Sequence, residues 1–101
     1  MGVINRKFKE SPWTQGAHEQ VPYRVLTTPW GSTPTSAVCR VMVQGGTNDT
    51  SLISTSTGTI SGDYITTGYV KNLVEPATYE LEIQFNISTS VFEAYGEIEV
   101  D

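Results

Sequence analysis

Leu73-Val74-Glu75-Pro76-Ala77-Thr78-Tyr79-Glu80-Leu81-Glu82-Ile83-Gln84-Phe85 decides the fold of this 101-residue chain. A turn carrying Pro76 leads into strict alternation. Tyr79, Leu81, Ile83 and Phe85 point one way, and Glu80, Glu82 and Gln84 the other. Successive side chains on a strand face opposite sides, so this period of two predicts a strand with one buried face and one wet face. A proline turn just before an inward tyrosine also marks a β-sandwich corner, where the phenol hydroxyl caps nearby backbone.

The rest of the chain carries the same rhythm. Val21 to Thr27 reads as a strand with Val21, Tyr23, Val25 and Thr27 on one face, and Pro22 puts its start on an edge or at a strand beginning. Thr28 to Thr35 holds two prolines and a glycine and reads as a loop. Ser36 to Gln44 is apolar on both faces, which predicts a central strand covered on two sides. Gly45-Gly46-Thr47-Asn48-Asp49 is a turn. Thr50 to Thr57 reads as a weak Ser/Thr strand at an exposed edge, open to pairing with a neighbour. A short strand or turn follows at Gly58 to Asp63. Tyr64 to Leu73 is a strand anchored by Ile65, Tyr69 and Val70, with Gly68 at a bulge. Val91 to Val100 is the last strand, with Val91 and Tyr95 inward, and with Ile98 and Val100 opposite Glu97 and Glu99. About seven strands, spaced as in an immunoglobulin-like fold, predict a single antiparallel β-sandwich. Residues 1–20, polar and broken by Pro12 and Gly16, read as an N-terminal arm and connection, and residues 21–101 as the sandwich domain.

Composition agrees with an all-β chain. There are fourteen Thr and nine Ser. Thr favours strands through its β-branch, and both residues satisfy turn backbone through their hydroxyls. A net charge of −5 disfavours non-specific nucleic-acid binding. The charge is unevenly placed. Arg6, Lys7 and Lys9 are half of the six cations, and Glu80, Glu82, Glu93, Glu97, Glu99 and Asp101 are six of the eleven acids. Two readings are open: solvated faces, or head-to-tail complementarity between copies. No run approaches membrane-spanning length. Met1 to Glu10 lacks the apolar stretch of a secretory leader. The one cysteine, Cys39, sits in an apolar run, so a buried reduced thiol and a reducing compartment are expected.

No constellation of residues specifies a reaction, and neither catalytic residues nor a cofactor nor a metal is expected. His18 is the only histidine and lies in a polar connection, so neither a metal site nor a Ser/His/Asp triad can be assembled around it. Gly45 to Asp49 is followed by no Lys and opens no helix, so it is not a phosphate cradle. Glu97 and Glu99 share one wet strand face about 7 Å apart. Trp13 and Trp30 sit in Pro-containing loops. Each either lids one end of the core, anchors a protein contact, or stacks on a sugar. Arg6, Lys7, Phe8 and Lys9 form an arm able to reach a neighbouring subunit.

Taken together, several stretches resemble the small fiber–tail adaptor proteins of tailed bacteriophages and related immunoglobulin-like virion domains. The matching pieces are Val3-Ile4-Asn5-Arg6-Lys7-Phe8-Lys9-Glu10, the Tyr23 strand leading to Trp30-Gly31, and Thr35-Ser36-Ala37-Val38. Tyr79 after its turn and Glu93-Ala94-Tyr95-Gly96-Glu97-Ile98-Glu99-Val100 complete them. The chain departs from that family at Val74 to Ala77, where Gly-rich turns are usual, and at Arg24 to Thr27, where an Asp-bearing strand is usual. The resemblance implies a non-enzymatic virion part at the tail or head–tail junction, repeated as a homo-oligomer and docked to other virion proteins. Nucleic acid and membrane are not expected as partners. Arg6, Lys7, Phe8, Lys9, Trp13 and Trp30 are the expected contact residues. A capsid decoration protein and a glycan- or host-surface-binding module are the alternatives.

Overall fold

The structure, a computed structural model, describes residues 6–100. Among the described residues there are seven strands: β1 (Trp13–Gln15), β2 (Arg24–Leu26), β3 (Thr35–Val43), β4 (Thr59–Ser61), β5 (Tyr64–Thr66), β6 (Ala77–Ile87) and β7 (Ser90–Val100). They form two sheets, one ordered β1-β7-β6-β3 and the other β2-β5-β4. In immunoglobulin lettering β2 to β7 are strands B to G. One sheet is then B-E-D and the other carries G-F-C, the connectivity of an immunoglobulin-like sandwich. The expected all-antiparallel arrangement needs one correction. β1 runs parallel to β7, with Trp13 opposite Ile98 and Gln15 opposite Val100, so the four-stranded sheet is mixed.

β6 is the middle of the core. It pairs with β7 along its whole length and with β3 on its other edge. Its inward residues Tyr79, Leu81, Ile83 and Phe85 are all buried, as the alternation predicts, and they face Val25 and Ile65 of the second sheet. Burial of each such side chain contributes about 1.5–3 kcal/mol. The corner is present as well: the Val74 N–H donates to the Tyr79 hydroxyl at 3.1 Å. Leu81, two residues on, fills the place that the second inter-sheet cysteine takes in antibody domains. Cys39 is free and buried on β3.

Four sequence expectations change. β3 is not a central strand. It ends its sheet, and its outward row lies on the polar face of β6, with Met42 opposite Glu80 and Arg40 opposite Glu82. Its free edge is covered by residues 56–58, through Cys39 N–H to Ser56 O and Gly58 N–H to Ala37 O. Thr50 to Thr57 is not a strand either. Asp49 accepts from the Ser51 N–H and hydroxyl and closes a 3-10 turn at Thr50–Leu52, after which only isolated bridges form at Ile53 and Thr57. Short hydroxyl and carboxylate side chains compete in this way with ladder bonds. The strand from Tyr64 stops at Thr66, and Tyr69 is 54% exposed instead of anchoring the core. Finally, Val91 and Tyr95 do not point inward. The inward row of β7 is Ala94, Gly96, Ile98 and Val100. Gly96 hides this row from a hydropathy reading, and its bareness is used: a Cβ there would overlap the Trp13 ring.

Residues 6–20 lie against the sandwich. Phe8 N–H donates to Tyr95 O and Tyr95 N–H to Arg6 O, both at 2.9 Å, and β1 continues along the same edge. Phe8 is 2% exposed and belongs to the core. The first five residues of the proposed arm lie outside the described residues.

Two expected outcomes follow from this packing. Gly96→Val should displace the Trp13 ring, shift tryptophan emission to the red and destabilise by about 1–3 kcal/mol, the range for overpacking, in urea melts. Tyr79→Phe should leave the Val74 N–H without its acceptor and lower stability by about 1 kcal/mol with an unchanged fold by circular dichroism.

Candidate docking surfaces

The six expected contact residues divide by environment. Phe8 and Trp30 meet at one end of the sandwich. Their rings are 5.2 Å apart edge-to-face, and Trp30 is 5.8 Å from Phe85, which lies 6.0 Å from Phe92. Thr27 holds this loop: its carbonyl accepts from the Trp30 and Gly31 N–H groups, and its hydroxyl bonds the Gly31 and Asp63 carbonyls. Trp30 is thus a half-buried lid, not an exposed platform for a sugar. Trp13 lids the flank beside β7. Its ring lies over Gly96 and 4.7 Å from Tyr23. Lys9 and Arg6 are exposed, and Arg6 donates from Nε to the Glu93 carbonyl at 3.1 Å. Lys7 forms an ion pair with Glu97.

Gln15 was not singled out by sequence, yet it organises the Trp13 side. It is buried, accepts from the Tyr23 hydroxyl at 2.7 Å, and donates to the Glu19 and Val70 carbonyls at 2.9 Å each. Thr67 completes the set, accepting the Tyr23 N–H on its hydroxyl. A buried polar side chain is tolerated when its bonds are satisfied, as these are. No local sequence signal marks Gln15, because its partners are 4, 8 and 55 residues away.

The outer face of the four-stranded sheet carries the charge. Glu80, Glu82 and Gln84 of β6 lie beside Glu97, Tyr95 and Glu93 of β7, in that order, and Thr78 lies beside Glu99. Glu80 and Glu97 are directly opposite, an arrangement that destabilises a sheet. Two contacts relieve it. Lys7 holds the Glu97 carboxyl below its ordinary range, chiefly through their hydrogen bond, and Gln44 Nε2 donates to the other oxygen at 2.9 Å. The same bond raises the Lys7 ammonium. Arg40 pairs with Glu82 at 3.5 Å. The basic segment and the acidic last strand, separated in sequence, are therefore side by side within one chain.

Concavities are modest. A groove of about 730 Å³ lies between the 43–52 turn and the tyrosine corner, with Leu52 and Tyr79 among its walls and Val43 and Val74 exposed on its rim. Its acid, Asp49, is held below its usual range by the bonds from Ser51. His18 is exposed on a turn. Among the described residues no group of three His, Cys, Asp or Glu is placed to hold a metal ion. Among the described residues no helix is long and apolar enough to cross a membrane.

No family model, curated protein or solved structure matches the chain.

Two buried groups predict alkaline behaviour. Burial pushes the Cys39 thiol up to about 11, and burial, reinforced by Glu19, pushes the Tyr23 phenol up to about 12. Both groups are neutral in the fold and ionise more easily in the unfolded chain, so their contribution is intact below pH 9 and is lost as pH rises to about 12. Stability measured by urea melts should hold to pH 9 and then fall, and one tyrosine should ionise late at 295 nm in the native protein.

Proposed function

We propose that the chain is a non-enzymatic structural component of a bacteriophage virion, an adaptor at the tail or head–tail junction that docks other virion proteins. The observation that carries the docking half of this reading is the outer face of β6 and β7. It sets Glu80 against Glu97 and adds Glu82, Glu93 and Glu99 to the same surface. Opposed carboxylates oppose folding, so a face that keeps them is suited to contact with another molecule. Electrostatic faces of this kind select partners and set their orientation more than they add affinity. The phage half rests on the sequence likeness to fiber–tail adaptors, from the Arg6-Lys7-Phe8-Lys9 opening to the Glu93–Val100 close.

The test is genetic. Deleting the coding segment from the genome that carries it and viewing the resulting lysate by electron microscopy should show separated heads, tails or fibers. Purified complete particles should contain the protein by mass spectrometry. Infectious particles of normal form without it would overturn the adaptor reading.

A further inference from the structure

The two outer faces of the sandwich differ in charge, and the difference identifies a partner. On the three-stranded sheet, Val25 and Ile65 are buried, so Arg24, Leu26, Tyr64 and Thr66 point outward, with Thr59 and Ser61 of the paired strand beside them. None of these outward strand residues is acidic, and the Glu10 carboxylate accepts from the Leu26 N–H at 3.1 Å at the free edge of β2. The one charged residue among them is Arg24, whose guanidinium lies 3.7 Å from the centre of the Tyr64 ring. Arg6 is bonded to the Glu93 carbonyl, Arg40 to Glu82 and Lys7 to Glu97, all on or beside the opposite face. Among the described residues, Arg24 has no carboxylate partner. Stacked arginine and tyrosine are the side chains most enriched where protein contacts concentrate their energy. The opposite face of the same chain carries five glutamates against those paired cations.

We propose that this chain binds a second copy of itself head to tail, with the Arg24–Tyr64 face of one copy seated on the Glu80–Glu82 face of the next. Each copy has a net charge of −5, so approach through two acidic faces is repulsive, and the pairing of unlike faces is the attractive one. The contact is heterologous. It leaves an unused face at each end and grows into a closed ring or an open stack according to the rotation between copies. This deepens the adaptor reading by naming one partner and rests on it only for its setting in the virion.

The test is sedimentation of the full chain at up to about 1 mM protein, which registers contacts as weak as a millimolar Kd. Association should weaken at least about tenfold, the loss of a contact worth about 1.4 kcal/mol, when ionic strength rises from about 0.1 M to about 1 M and the screening length falls from about 10 to about 3 Å. Arg24→Glu and Glu80→Lys should each abolish association. Glu80→Lys removes the repulsion with Glu97, so it should lose association while melting no lower than the parent. Mixing the two variants should restore binding, since the mixture again offers an unaltered Arg24 face and an unaltered Glu80 face. A parent chain that is monomeric throughout, association insensitive to either substitution, or a mixture that fails to recover would each overturn the proposal. Any of those results leaves docking to an unlike virion protein standing, which the deletion test decides separately.

Discussion

Everything in this sandwich depends on the dry side of one strand. β6 puts Tyr79, Leu81, Ile83 and Phe85 into the core, all buried, while its backbone is paired on both edges. At about 1.5–3 kcal/mol for each large side chain, burying these four contributes about 6–12 kcal/mol. A domain of this size retains only about 5–15 kcal/mol of net stability. Burying that row demands a second sheet to face it, and β2 and β5 provide it with Val25 and Ile65. It also demands closure of the flank beside β7, where an immunoglobulin-like sandwich has its first strand. Phe8, Trp13 and Gln15 fill that flank.

The sequence was most legible where hydrophobic period and local backbone chemistry agree. The alternation of β6, the corner at Tyr79, the turn at Gly45 to Asp49 and the place of Pro22 before the edge strand β2 are all decided within a few residues. It was least legible where a strand is short and its partner distant. β1 is three residues of mixed character, and its parallel pairing with Ile98 to Val100 depends on a fold already formed. β3 misled for another reason. Val38 and Met42 look like core residues, but register sets them opposite Gln84 and Glu80, and Val38 is left 36% exposed. Gly96 misled by having no side chain at all: an inward position filled by a neighbour's indole reads as a gap in the pattern.

The candidate docking surfaces were half visible. An excess of acid in the last quarter of the chain is plain in the sequence. The opposition of Glu80 and Glu97 is not, because it depends on the register that the Ser88-Thr89 turn imposes between β6 and β7. Arg24 was hidden similarly. In sequence it is one residue of a strand, and only the pairing of β2 with β5 brings it over Tyr64. The basic opening residues were visible as a cluster, but their division was not. Phe8 enters the core, Lys7 turns to Glu97, and Lys9 is exposed.

That division couples stability to surface charge through a single segment. The segment that closes the flank with Phe8 and Trp13 also brings Lys7, the residue before Phe8, to the Glu97 side of the acidic face. Ser11 supports the same spot, its hydroxyl accepting the Glu97 N–H at 2.9 Å. Hydrophobic burial is not screened by salt, whereas exposed ion pairs are. The closure and the charge therefore answer to different conditions although one stretch of chain supplies both. Ionic strength screens the charge of the acidic face while Phe8, Trp13 and Gln15 keep the flank shut. This separation lets a small domain carry opposed carboxylates on its surface without loosening its core.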